Sequence, residues 1–454
     1  MRLGAITPID GRYREKLEEC SRFFSEYALI RYRLVVEACY LRAFLAAIGK
    51  GSEAHAVEGL EKELWELPME EAVEVKNIER RVGHDVVAVT LFLEKKLEER
   101  GHAALKPFIH FGLTSEDINN IAYGMALRDF IQTSLTPVLA NLVKEITSLA
   151  ETHASTPYLA RTHGQPAVPT TFGSYLANYG YRLAKLTAKL KNLRPQAKLG
   201  GAVGDLSAHK TAYPQVDWVS FAEKFVEQMG LEYMPAATQV APHERFSEIL
   251  QTVAAIASVA ANLCRDFWLF GALGLVEFGK PSEHRHSSTM PQKHNPLLFE
   301  NAEGCFDLAA DMLSYMATRL ISSRLHRDLS DSVIKRFYGT ALALTLLGVK
   351  NLIQALGQTH VKTDKMREEV EKTPEASAEI LQLILRKHGV EDGYSLAAQA
   401  AEKGLGWLRE TLSARGLDPR IIDEAAVTRY VEAGFEKAVM LVERVREIVR
   451  ALNV

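Results

Sequence analysis

Two adjacent serines, Ser287 and Ser288, precede the run Met290-Pro291-Gln292-Lys293-His294-Asn295-Pro296. The whole stretch, EHRHSSTMPQKHNPLLFENAEG from Glu283 to Gly304, crowds hydroxyls, amides and cations into a proline-punctuated segment between long helical patterns. Backbone N–H groups at the start of a helix favour anions, and the helical pattern here begins near Pro296 or Leu297. Lys293 adds a full positive charge and Asn295 adds neutral donors. Such a set suits a carboxylate. A polar loop that only caps a helix uses the same residue types, so the two readings stand side by side.

His163 lies between Thr162 and Gly164-Gln165-Pro166. Glycine permits close backbone approach and proline fixes the turn. A histidine there suits acid–base work near neutral pH. The plain alternative is a surface-loop histidine, one of 14 in the chain. His84 meets the same alternative, and His110, inside Phe108-Ile109-His110-Phe111, reads as a satisfied core histidine. Glu300 falls in the first turn of its helix, where it could orient a histidine or serve only as a favourable N-terminal charge. Arg12-Tyr13, Arg327-Asp328 and Lys335-Arg336 are candidate phosphate contacts, each weak alone. The chain has no P-loop, no dinucleotide glycine fingerprint and no HExxH motif.

Long helices must hold these groups. Apolar spacing of three and four predicts helices over Ser25 to Ala47 and over Glu70 to Arg100, the latter weakened at Gly83-His84-Asp85. Thr114-Ser115-Glu116-Asp117 reads as a helix start, a hydroxyl cap followed by acids. That helix is expected to reach about His153, with a kink near Pro137. Further helices are expected over Thr170 to Arg194, Val216 to Met229, Glu244 to Phe278, Leu297 to Ser322 and Ser332 to Leu356. Short strands could hide in 157–169 and 196–212. The Glu244–Phe278 pattern would span about 50 Å as one helix. Its centre, Ala254 to Ala261, is small and apolar nearly all round, which predicts burial on every side and a core shared between subunits. The fold class expected is mostly α: three helical domains, 1–106, 107–357 and 358–454, around a central bundle of five long helices.

At 454 residues, 47% hydrophobic and 24% charged, the chain has the composition of a soluble globular protein of about three units. A net charge of -3 predicts neither nucleic acid nor an anionic membrane as partner. The four scattered cysteines form no zinc spacing and no disulfide framework, which fits a reducing, cytoplasmic setting. The N-terminus lacks the apolar run of a secretory signal.

Taken together, these motifs resemble the fumarase/aspartase superfamily of helical lyases. SSTMPQKHNP resembles its signature, and PIDGRY, FSEYALIRYRLVVE, HDVVAV, FIHFGLTSEDINN, RTHGQPAVPTTFGSYLANYGYR, ATQVAPHERF and RDLSDSVIKR follow in family order. PIDGRY and TSEDINN favour the branch that acts on succinylated purine nucleotides. The resemblance implies a β-elimination that releases fumarate, with no cofactor and no metal. It implies Ser287 as base and His163 as acid, with Glu300 as the histidine's partner. Lys293 and Asn295, with Ser288 and Asn301 beside them, would hold the carboxylate. Thr114, Ser115 and Gln239 would bind the succinyl end, and Arg12, Tyr13, Arg327, Ser332 and Arg336 the phosphate and ribose. His84 and Asp85 would lie by the phosphate and the reacting nitrogen. It also implies a homotetramer whose small-molecule nucleotide sites are shared between subunits. Alternatives are another fumarate-releasing lyase, such as the argininosuccinate branch, or a non-catalytic crystallin-like relative. The sequence departs from the family pattern at His286, where a small residue is expected, and at His294, where Val, Arg or Lys is commoner.

Overall fold

The computed structural model describes residues 4–279, 294–425 and 427–452. The protein is mostly α, as expected. Ser25 caps the helix Glu26–Ala47 by accepting the Ala28 N–H at 3.1 Å. The weak point predicted within 70–100 is a full break: Met69–Val82 ends at Gly83 (φ 70°), and His84 caps Asp85–Glu99. Positive φ at that terminus suits glycine because it has no Cβ. The helix from Ser115 to Thr152 holds a π-helical turn at Ile131–Leu135, just ahead of Pro137.

Two expectations need correction. The helix starting at Glu244 stops at Ala272; Val276–Phe278 leaves it to pair antiparallel with Thr359–Val361. Gly274, at φ 71°, makes the exit. The helix expected over 332–356 is two, Ser330–Lys335 and Tyr338–Gly357. Within this chain Ala254 to Ala261 is covered on all but one face, where exposed Ser258 continues to Asn262, Arg265 and Leu269. The strands foreseen within 157–169 and 196–212 are present: Pro157–Thr162 with Gln165–Thr171 as a hairpin, and Gln196–Ala197 parallel to Glu232–Tyr233.

The chain forms two compact units. The first holds Met1–Val138, Lys189–Ser258 and Cys305–Gly348; the second holds Leu139–Ala188, Val259–Gly304 and Val349–Val454. Each of five long helices contributes residues to both. The first unit has a large apolar core in which Phe44 stacks on Trp218 and Phe111. Between its long helices, Gly348 gives the Phe306 ring room; a Cβ there would lie 2.6 Å from the ring. In the second unit Phe267 stacks on Phe299 with centroids 5.0 Å apart. Tyr175 and Tyr179 both donate to Asp266. The helix Glu244–Ala272 and the two-helix stretch Ser330–Gly357 are long and apolar enough to cross a membrane, yet both are mostly buried within the protein.

Candidate functional site

In the first unit, the site residues are organised around the helix start at Thr114. Thr114 and Asp117 form a capping box, with the Thr114 N–H donating to Asp117 Oδ2 at 2.9 Å. Asp117 is fully buried. Its Oδ1 lies 2.7 Å from Lys198 Nζ, and it also accepts the Gly200 and Gly201 N–H groups at 2.9 and 3.1 Å. A buried carboxylate needs this much company, because desolvation costs several kcal/mol for each unpaired ion. The latched loop cannot carry side chains at its glycines. A Cβ on Gly204 (φ +91°) would lie 2.3 Å from the Ala237 carbonyl oxygen. That close approach brings the loop to Gln239, whose Nε2 donates to the Ala202 carbonyl at 2.8 Å.

Glu116 faces another set of cations. Its carboxylate takes Lys335 Nζ at 2.6 Å and Arg327 Nη1 at 3.3 Å. Lys335 also reaches Asp331 at 2.7 Å. Ser332, half-buried, lies on the same short helix, Ser330–Lys335. Nearby, Asp85 Oδ2 accepts Arg33 at 2.7 Å and stands 3.4 Å from Arg336. Burial pushes the Asp85 carboxyl up, but the Arg33 guanidinium and the Val86 N–H outweigh it and hold it below the usual carboxylate range. His84 uses Nδ1 to accept the Val87 N–H at 3.4 Å. Thr114, Ser115, Gln239, Arg327, Ser332, Arg336, His84 and Asp85 are thus tied together by a chain of ion pairs and backbone latches. Arg12 and Tyr13 sit on an early turn, Arg12 exposed and Tyr13 half-buried.

The second unit holds His163 and the residues around Glu300. Thr162 pairs with Gln165, so His163 and Gly164 form a two-residue turn with φ of 54° and 74°. Positive φ at both positions is the type I′ pattern, which fits the strand twist but suits Asn or Gly better than His. The hairpin's base is anchored: Arg161 pairs with Glu369, and a Cβ on Gly434 would come 2.8 Å from the Thr171 nitrogen. Its tip is exposed. Glu300, exposed at the start of Leu297–Arg319, accepts Trp268 Nε1–H at 3.2 Å. Asn301 Oδ1 accepts Asn351 Nδ2–H at 2.6 Å. Asn295 is half-buried. Ser287, Ser288 and Lys293, with His284 to His286, lie outside the described residues.

Sequence reasoning did not foresee the burial of several charged groups. Lys198, Glu116 and Asp117 are each at most 1% exposed, and each is paired. Glu37, fully buried, holds His110 Nδ1 at 2.6 Å. Burial lowers the His110 pKa, but the bond and the charge of Glu37 more than reverse this and raise it overall. His110 is satisfied as expected, although it takes a left-handed backbone (φ 54°). The partners of these groups lie 73 to 219 residues away, so no local spacing announces them. Among the described residues no cluster of three or more His, Cys, Asp or Glu could hold a metal.

A lyase family model matches residues 11–307, and a model of the adenylosuccinate lyase C-terminal region matches residues 323–413. The adenylosuccinate lyase of Vibrio cholerae is 36% identical over 399 residues, covering 86% of this chain and 87% of its own. That of Escherichia coli is 36% identical over 397 residues with the same coverage. A 3-carboxy-cis,cis-muconate lactonizing enzyme from Pseudomonas putida superposes with a TM-score of 0.74 at 22% identity, over 96% of this chain and 98% of that one. A fumarate lyase from Mesorhizobium sp. BNC1 superposes at 0.73 and 18% identity, over 95% and 97%. These two structures share the fold; the sequence relatives carry the finer kinship. From matches that run nearly end to end, the chain belongs to the adenylosuccinate lyase family of the fumarase/aspartase superfamily.

Proposed function

We propose that the protein eliminates fumarate from adenylosuccinate to give AMP, and from succinyl-aminoimidazole-carboxamide ribotide to give the carboxamide, in purine nucleotide synthesis. The observation that carries this reading is 36% identity to adenylosuccinate lyases over 86% of the chain. A proton leaves the carbon beside a carboxylate, its electron pair forms the new double bond, and the carbon–nitrogen bond breaks. The departing nitrogen then takes a proton. Ser287 is the base and His163 the acid, with Glu300 as the histidine's partner. A serine is a poor base at its ordinary pKa and needs local activation. Lys293 and the start of the helix at Leu297 supply the positive potential. Lys293 and Asn295, with Ser288 and Asn301, stabilise the negative charge that builds on the carboxylate.

Thr114, Ser115 and Gln239 hold the succinyl end. Arg12, Tyr13, Arg327, Ser332 and Arg336 hold the phosphate and ribose, with His84 and Asp85 beside the reacting nitrogen. The assembly is a cytoplasmic homotetramer of three-domain chains, 1–106, 107–357 and 358–454, whose sites are completed by neighbouring subunits. Glu300 bonds to Trp268 within its own chain while His163 is exposed on its turn, which supports a histidine that serves a site outside its own chain. The deciding experiment mixes purified protein with adenylosuccinate and follows AMP and fumarate. Turnover of argininosuccinate in place of adenylosuccinate would refute the assignment.

A further inference from the structure

Lys335 and Arg336 are neighbours in sequence with opposite surroundings. Arg336 is exposed, while the Lys335 side chain is 3% exposed. A buried ammonium persists only if its partners replace the lost water. Lys335 has Asp331 at 2.7 Å on its own short helix and Glu116 at 2.6 Å on another element. Burial lowers the Lys335 pKa, but the two carboxylates outweigh that and raise it, so the charge is kept. Around it, His243 and Tyr338 are buried, and His243 Nδ1 and the Tyr338 hydroxyl have no hydrogen-bond partner among the described residues. Burial, then the Lys335 charge, push the His243 pKa well down, which leaves that ring neutral and no rival for the carboxylates.

Glu116 directly follows Ser115, on the helix capped by Thr114. Asp331 and Lys335 bracket Ser332 and adjoin Arg336. Glu116 also takes Arg327 through its second oxygen, at 3.3 Å. One ammonium therefore joins the segment proposed for the succinyl end to the segment proposed for the phosphate and ribose. The join has no slack: both contacts are short, and the Glu116 and Lys335 side chains are almost fully enclosed.

We infer that Lys335 is a positioning residue that, through Glu116, sets the distance between Thr114–Ser115 and Ser332–Arg336 and so tunes the site to a ligand with a dicarboxylate at one end and a phosphate at the other. The inference rests on the functional reading above. A ligand that spans both ends gains from fixed spacing, because misplacement by about 1 Å can cost ~10²-fold in rate. A ligand that fills one end does not depend on it.

Lys335→Met keeps the length and removes the charge. For this variant kcat/KM for adenylosuccinate should fall at least tenfold, chiefly through KM. Inhibition constants for fumarate and for AMP, each of which fills one end, should stay within twofold of wild type. An unchanged KM would overturn the inference. So would equal weakening of substrate, AMP and fumarate, since Lys335 would then only support the fold. If Lys335→Met fails to fold, Lys335→Met combined with Glu116→Gln and Asp331→Asn removes the three buried charges, keeps an acceptor for Arg327, and carries the same readout. Wild-type protein that leaves adenylosuccinate intact would refute the functional reading itself, a result separable from any effect of the variants.

Discussion

Around Thr114 the neighbouring charges are buried and paired, whereas His163 stands exposed on a two-residue turn. The first region is over-determined. Asp117 has Lys198, two backbone N–H groups and the Thr114 N–H; Glu116 has Lys335 and Arg327. The second region is fixed only at its base, by Arg161 with Glu369 and by the tight approach of Gly434. Groups that grip a substrate must hold their spacing, so each is braced by several partners. The proposed role of His163, delivering a proton into a site completed by another chain, requires a group that protrudes, and its own chain leaves it uncovered. Stability should concentrate in the first region and chemistry in the second.

The sharpest way to break that contrast is His163→Gln. Turnover should fall by about 10²–10⁴-fold, while the thermal midpoint stays within a degree or so of wild type because the side chain is exposed. Mixed with Ser287→Ala after subunit exchange, the variant should recover part of the activity. Recovery of nothing, with exchange verified by mass, would count against sites shared between chains. Next in size is Lys198→Met. It strands Asp117 in the interior and should lower unfolding free energy by about 3–5 kcal/mol, read by urea titration. The activity of the folded fraction should suffer far less than in His163→Gln. A loss under 1 kcal/mol, on the scale of an exposed pair, would mean that the loop is not latched as described.

The smallest effect concerns Glu37 and His110. The folded-state pKa of His110 is raised. The pair's stabilisation is therefore fully present below the ordinary histidine pKa of about 6.5 and is lost as pH rises through the raised value. Glu37→Gln should cost about 2 °C in Tm at pH 6, and the gap should shrink by pH 9. A gap that widened with pH would reverse the sign of the argument.

The helical architecture and the helix start at Thr114 were legible because caps, acids and apolar spacing are local signals. A weak point at Gly83 and short strands within 157–169 were legible for the same reason, though the full break and the hairpin pairing were not. The extent of Glu244–Ala272 was not. Val276, Glu277 and Phe278 fit a continuing helix by spacing, and only pairing with Thr359 to Val361, some 80 residues on, draws them into a strand. Glu116 and Asp117 were visible as first-turn acids, but their burial was not, since the cations that neutralise them come from residues 198, 327 and 335. The motif residues could be named from sequence, and their bracing could not.

The left-handed turn at His163 has an evolutionary consequence. A non-glycine residue at positive φ in a type I′ turn gives up stability that Asn or Gly would recover. Selection for folding alone would drift position 163 toward those residues, as stability-raising changes at functional positions commonly sacrifice activity. A lineage that ceased to need the reaction should lose this histidine early and gain thermal stability as it did so. In the role proposed for His163, the imidazole on that backbone is a running cost that catalysis repays.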